Sequence, residues 1–500
     1  HEPYIRQVRE GRPEALFGTG TEVLMFAKTS GTTAEPKTIP ITRESLQNYR
    51  DGWTIWGVQA FDAHYGMIRW GMRPILQLVS DWRESFTTAG IPCGAITGLT
   101  AQMQNPLVRL NYCMTPATAR IKDIESKYYV ALRLSMHRDV GALMAANPST
   151  MIAIARLGDR EKATLIRDIA DGTIDARWEI PDDVRESMKI RTRWKRIKTA
   201  RRLEQIVHAT GQLWPRDYWP NLEFLANWTG GTMGAYLRSV PEVYGEKPIR
   251  DVGLIASEGR MTIPIDDHTP SGLIDYWHHY FEFIPEDQAD QEQPGTVNAW
   301  ELKEGERYFI LLTTAGGLHR YNIFDLVRCT GFIGKTPLIE FLNKGAHFSS
   351  LAGEKLSEYQ VVQAVNQALQ SLELRLSGYL LLAHWDDPPY YELLVERCDL
   401  EGTSLARRLE AEVDERLSKV NLEYQNRRET RRLGRVRIRV VAPGTWREFK
   451  KRRLERSRGT PEQYKQPCLM ADLDAWESYG FQEAAFVSSD AARVGGNHSE

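Results

Sequence analysis

Gly31-Thr-Thr-Ala-Glu-Pro36-Lys37-Thr38 comes within one residue of the phosphate-binding pattern G-x-x-x-x-G-K-[ST], and that residue decides what the chain can fold into. The second glycine of the pattern lets the backbone wrap a phosphate and a helix begin at the lysine. Pro36 has no N–H to offer, and Pro40 interrupts the helix that would follow. A P-loop fold is excluded. The flanks instead predict strand, turn and strand: residues 23–27 are a short apolar run bounded by turn formers, and Thr38–Ile41 form a second short strand. Thr29, Ser30, Thr32 and Thr33 offer hydroxyl donors, Gly31 close backbone approach, and Lys37 a mobile positive charge for a polyphosphate. An ordinary polar hairpin turn would use the same residues. From Thr42 a helix is predicted, with Thr42 as N-cap and Glu44 in its first turn.

Charge does not choose a partner. Lys and Arg total 64 against 66 Asp and Glu, a formal charge of −2, so any anion site must be local and no global field selects nucleic acid or a membrane surface. The 500 residues, 42% of them hydrophobic, suffice for two to four soluble domains. Five widely spaced cysteines without a C-x-x-C pair suit reduced thiols, and the chain is expected to be cytoplasmic, without a membrane span or signal peptide. It opens on His1 and not Met, so an upstream segment is expected.

Residues 117–170 have the helical spacing of several amphipathic helices. After about 250 the texture changes to short apolar runs between Gly and Pro turns, such as 251–256 and 307–314, which read as strands. A domain boundary is expected near Gly331–Gly334. Beyond it the order is helix (357–372), strand (379–384), a turn at Asp386-Asp387-Pro388-Pro389, strand (390–396), helix (403–420) and strand (435–441), the content of an antiparallel sheet with helices on one face. The expected division is 1–332, 333–484 and a disordered tail at 485–500.

Six separated stretches resemble those of known enzymes. "TSGTTAEPK" resembles the phosphate loop of adenylate-forming enzymes. "WPNLEFLANWTGGT" (219–232), "IASEGRMTIP" (255–264), "YFEFIP" (280–285), "LLTTAGGLHRYNIFDLVRCTGF" (311–332) and "GTPEQYKQP" (459–467) follow in the order and spacing of the auxin-responsive promoter family of acyl acid amido synthetases. The resemblance implies an α/β fold: a large N-terminal adenylate-forming domain with mixed sheets flanked by helices, hinged to a small α+β C-terminal domain. It implies ATP and Mg²⁺ as cofactors, a carboxylic acid and an amine, an amino acid, as substrates, and a monomer or weak oligomer. The activity that it implies is that of an amide-forming ligase that releases AMP and pyrophosphate. Thioester formation on coenzyme A and a nucleotide-binding regulator without turnover are the alternatives.

By the same resemblance, Thr29–Lys37 hold the leaving phosphates, Ala256-Ser257 lie near the α-phosphate and Glu258 binds Mg²⁺, a hard cation suited to carboxylate and phosphate oxygens. Tyr321-Asn322-Ile323-Phe324-Asp325 resembles the family's Y-R-x-G-D, whose aspartate holds the ribose hydroxyls. Asn322 stands for the arginine and Phe324 for the glycine, so that arginine's phosphate contacts are not implied here. Leu254 stands where relatives often carry an aromatic that stacks on adenine. Lys465 is assigned to adenylation and Lys355 to nucleotide contact. The alternating Arg435, Arg437 and Arg439 read as the charged face of an exposed strand, and His278 and His279, on opposite faces of a strand, as structural.

Overall fold

The computed structural model describes residues 1–28, 37–233, 237–289, 291, 293–344, 348–349, 351–352, 354, 356–400, 402–429, 431–457, 464 and 466–484. They form two compact units. The first comprises His1–Met233, Ser239–Phe341 and Ser457–Tyr464; the second comprises the described residues of Gly234–Arg238, Leu342–Arg456 and Lys465–Glu500.

In the first unit, β1 (Val23–Lys28) pairs antiparallel with β2 (Thr38–Thr42), and Lys28 faces Thr38 across the mouth of the loop between them. β2 is an edge strand of its four-stranded sheet, the place where Pro40, opposite Phe26, removes no ladder hydrogen bond that a further strand would need. The helix starts where the sequence predicts. α1 (Arg43–Ala63) is capped by Thr42, whose side chain accepts from the Ser45 N–H (3.2 Å) while Ser45 Oγ accepts from the Thr42 N–H (2.8 Å).

The stretch read as all helical holds helices Ile124–Ser135, Pro148–Arg160 and Lys162–Asp171, but also a strand, Ala142–Met144. That strand lies second in a parallel sheet ordered Ile75–Gln77, Ala142–Met144, Phe224–Asn227 and Ile249–Asp251. Three buried apolar residues are too few to show a period of two, which is why the pattern hid it. Residues 251–256, read as one strand, are two. The chain breaks at Gly253 (φ +94°), where a Cβ would stand 2.4 Å from the Thr262 carbonyl oxygen, and resumes as the hairpin β3 (Ile255–Ala256) and β4 (Gly259–Arg260). A seven-stranded sheet completes the unit; its centre is β5 (Arg307–Thr313) and β6 (Tyr321–Ile333), with β7 (Thr336–Lys344) beside β6. Of the glycines that suggest a domain boundary, Gly331 lies within β6 and Gly334 opens the turn that joins β6 to β7, and the two units divide after Phe341.

The second unit has the expected helix and strand order. α2 (Glu358–Ser371) leads to β8 (Tyr379–His384) and β9 (Tyr390–Glu396), then α3 (Thr403–Val420) and β10 (Arg437–Val441). The sheet is mixed rather than antiparallel: β8 and β9 are antiparallel, but β10 runs parallel to β9, and β11 (Leu469–Met470) parallel to β8. Helices also cover both faces, not one. Leu381, Ala383, Leu393 and Val395 pack with α2 and α3, while Leu380, Leu382, Leu394 and Val441 pack against Trp446 and Phe449 of α4 (Thr445–Ser457). The basic composition of 427–458 masks that helix, since only two of its side chains carry the apolar contact. Burial on both faces explains the near-continuous apolar runs of β8 and β9.

All five cysteines are free thiols, and no helix among the described residues is long and apolar enough to cross a membrane. Thr42→Ala removes one side of the capping box and should cost about 1 kcal/mol, whereas Thr42→Ser should retain wild-type stability, as read by chemical denaturation of the intact chain.

Candidate active site

The hairpin β3–β4 carries Ser257 and Glu258 at its tip, both half-buried, and its position is fixed from below by one carboxylate. Asp251 Oδ1 accepts the Gly253 N–H at 2.6 Å, and Oδ2 accepts both the N–H (2.6 Å) and the hydroxyl (2.7 Å) of Thr229. Trp228 Nε1 donates to the Gly253 carbonyl (3.1 Å) and Trp56 Nε1 to the Asp251 carbonyl (2.8 Å). The segment read from the sequence as "NWTGGT" is thereby tied to the chain just before the Ser-Glu pair. A carboxylate accepting several backbone and hydroxyl donors fixes geometry tightly, since each charge-assisted bond is short and strong.

Arg260 closes the base of the hairpin. It is fully buried, donates from Nη1 to the carbonyls of Val252 (2.9 Å) and Thr262 (3.2 Å), and lies 4.4 Å over the Trp53 ring. Burial pulls its pKa down to about 10, opposed chiefly by the Asp275 carboxylate, then by Tyr49 and Asp251, so the guanidinium stays charged near neutral pH. Gly52 of α1 makes room for it. A Cβ there would stand 2.4 Å from Arg260 Cδ. The Tyr49 hydroxyl and Arg260 Nε and Nη2 are buried with no hydrogen-bond partner among the described residues, so an oxygen acceptor at the base of the hairpin would stabilise it.

Two phenols report where the Glu258 carboxylate stands. Burial and then the negative charge of Glu258 raise the pKa of Tyr49, and the same two causes, in the same order, push Tyr321 up to about 12. Tyr49 comes from α1 and Tyr321 from the start of β6, so the charge of Glu258 is felt on both elements. Ile255 and Tyr321 also pack against the core formed by Phe26 and Ala27 of β1 and Ile39 and Ile41 of β2. The stems of the predicted phosphate loop, the Ser-Glu hairpin and the Tyr321 segment therefore share one core. Ala256 and Tyr321 meet again on the neighbouring core of the large sheet.

Asp325 is buried four residues beyond Tyr321. Between the pairs Leu311–Asn322 and Phe309–Leu326 the ladder shifts, with Ile310 alone on β5 against Ile323, Phe324 and Asp325 on β6. Phe324 is left-handed at φ +58°, a conformation that costs a residue with a Cβ about 1–2 kcal/mol. Asn322 Oδ1 accepts the Phe324 N–H at 2.8 Å and holds the bulge. The asparagine that replaces the family's arginine thus has a local structural task.

Of the other site residues taken from the sequence, Lys37 is exposed just before β2, while Thr29, Ser30, Gly31, Thr32, Thr33, Lys355 and Lys465 lie outside the described residues. In the second unit, Glu354 immediately precedes Lys355 and is buried. It accepts the N–H groups of Leu351 and Ala352, both at 2.7 Å, and the hydroxyl of Tyr391. His278 is in a turn rather than on a strand, its Nδ1 2.8 Å from Asp275 Oδ1. No cluster of three or more His, Cys, Asp or Glu side chains suited to a metal occurs among the described residues. Glu258, half-exposed at a hairpin tip, offers one hard oxygen ligand, which suits Mg²⁺ shared with phosphate oxygens.

Family models match along most of the chain: GH3 family N-terminal domain over residues 1–249, central domain over 272–344 and C-terminal domain over 359–474. The chain belongs to the GH3 family. Among its relatives, a jasmonoyl–L-amino acid synthetase, JAR6 of Nicotiana attenuata, is 24% identical over 89% of this chain and 79% of its own length. Indole-3-acetic acid-amido synthetase GH3.10 of Arabidopsis thaliana is 24% identical over 93% and 83%. The solved structure of the GH3.15 acyl acid amido synthetase superposes with a TM-score of 0.83 at 22% identity, covering 97% of this chain and 85% of that one. The shared GH3 fold accounts for the large N-terminal and small C-terminal units.

Sequence reading of this GH3 chain missed Tyr49, Asp251 and Arg260. A signal existed for the first: Tyr49, Gly52, Trp53 and Trp56 recur at i, i+3, i+4 and i+7 on α1, the stripe of one buried helix face. Gly52→Ala would ordinarily stabilise a helix interior by about 1 kcal/mol. Here it should destabilise by about 1–3 kcal/mol, because Arg260 is wedged between Gly52 and the Trp53 ring, and it should lower activity by displacing β4; melting and turnover of the same variant check both.

His279 packs behind the hairpin, its Nε2 2.8 Å from where a Cβ on Gly259 would stand. Burial, then the neighbouring His278, pulls its pKa down to about 4. Its ordinary value in the unfolded chain is about 6.5, so below that pH the unfolded state takes up a proton that the folded state refuses. Stability should be full above about pH 6.5 and fall toward pH 4, by about 3 kcal/mol at most from this group. His279→Gln should flatten the fall relative to wild type in denaturation curves taken across that range.

Proposed function

We propose that this GH3 chain is an ATP-dependent acyl acid amido synthetase, which activates a carboxylic acid as its adenylate with release of pyrophosphate and passes the acyl group to an amino acid with release of AMP. The observation that carries the reading is the convergence of the phosphate-loop stems, the hairpin that bears Ser257 and Glu258, and Tyr321 on one core. The relatives named above, two amido synthetases and a jasmonoyl–L-amino acid synthetase, favour an amine acceptor over coenzyme A.

Adenylation brings a carboxylate to the α-phosphorus of a polyanion, so the site must neutralise charge and fix geometry. In this reading Thr29, Ser30, Gly31, Thr32, Thr33 and Lys37 hold the phosphates that leave. Ala256 and Ser257 sit at the α-phosphate, and Asp325 accepts from the ribose hydroxyls. Lys465 neutralises the charge that builds at phosphorus, and Lys355 contacts the nucleotide. Mg²⁺, held by Glu258 with phosphate oxygens, would supply charge neutralisation. The rigid Asp251 anchor keeps the Ser-Glu tip from moving as charge develops, which avoids reorganisation during the step.

Acid-dependent exchange of labelled pyrophosphate into ATP should be measurable, and Glu258→Ala and Lys465→Ala should each lower it by about 10² to 10³. Mass spectrometry of products formed with amino acids or with coenzyme A separates amide from thioester. Exchange absent across a broad acid panel would contradict the reading in favour of a nucleotide-binding regulator.

A further inference from the structure

Phe324 breaks a local rule without an obvious reason. A left-handed backbone favours glycine, yet a bulky aromatic occupies it, and 52% of that residue is exposed, so it is not there to fill the core. The structure around it maintains the conformation. Asn322 accepts its N–H, and four residues upstream Arg320 is left-handed too (φ +47°), held by its N–H to Thr313 Oγ1 (3.0 Å) and its Nε to Glu282 Oε2 (2.9 Å). Two strained non-glycine residues thus bracket Tyr321-Asn322-Ile323, and the second immediately precedes the buried Asp325. Strain held in place by surrounding bonds marks functional segments, where an unusual side-chain direction is the purpose of the unusual backbone.

We propose that Phe324 is a nucleoside-contact residue, its ring packing against the purine nucleoside whose ribose Asp325 holds. The proposal rests on the nucleotide reading of Asp325 above. An aromatic ring left half in water gains by covering the flat face of a base, an interaction that needs no hydrogen-bond match. It also gives this chain an aromatic surface that Leu254 does not provide.

The test uses the full chain, with AMP as the probe in isothermal titration and melting temperature followed in parallel. Phe324→Gly should weaken AMP binding about tenfold while its melting temperature does not fall, because glycine is at ease at positive φ. Phe324→Tyr should bind AMP within about twofold of wild type, and Phe324→Leu should resemble Phe324→Gly. Wild-type AMP affinity in Phe324→Gly, with affinity lost in Asp325→Ala, overturns the role of Phe324 and leaves the nucleotide site standing. Wild-type affinity in both variants brings down the nucleotide site itself. A melting temperature that falls with affinity in Phe324→Gly, with Phe324→Leu matching Phe324→Tyr, makes the ring a structural filler and also overturns the proposal.

Discussion

A buried guanidinium governs the architecture of the site. Removing Arg260 from water is tolerable only because two backbone carbonyls, the Trp53 ring and the Asp275 and Asp251 carboxylates surround it. These groups belong to separate parts of the chain: α1, the segment after the parallel sheet, and the turn before His278. Burying one charge therefore forces three elements into register. The Ser257–Glu258 tip stands directly above that register, so its position follows from the charge beneath it. Removing one of these partners leaves the buried charge less well compensated, so the elements around it are coupled.

The same logic runs through Asp251. Its carboxylate converts the Trp228–Thr229 turn, Gly253 and the start of the hairpin into one rigid body, and Trp56 adds α1 to it. Such rigidity suits adenylation, where two anions must meet and the protein's dipoles must already point the right way. Strain at Phe324 is the counterpart. Where the rest of the site follows local preference, the β6 bulge departs from it.

How far the sequence disclosed this depended on the kind of signal. Pro36 and Pro40 excluded a P-loop, and the edge strand that accepts Pro40 shows why. Thr42 marked the helix start because capping is a contact over three residues and so is written locally. In the second unit, helices and strands were legible from period and turn residues, but sheet direction and the helix on the far face were not. Parallel pairing of β9 with β10 is a long-range choice, and Trp446 and Phe449 were concealed among arginines and lysines. Ser257, Glu258, Tyr321 and Asp325 came from motif resemblance. Arg260 and Asp251 did not, since nothing local distinguishes a buried charge from a solvated one; only the partners do, and those of Asp251 lie 22 residues away at Thr229 and 195 away at Trp56.

The central claim is that residues distant in sequence enclose one nucleotide. Hydrogen exchange of the intact chain, with and without AMP and Mg²⁺, tests it most directly. Slowed exchange should appear together in three stretches of the first unit, 24–42, 251–262 and 321–326, which the proposed site brings to one nucleotide. Protection confined to one of them, or appearing in the helices at 124–171 with those three unchanged, would contradict the account.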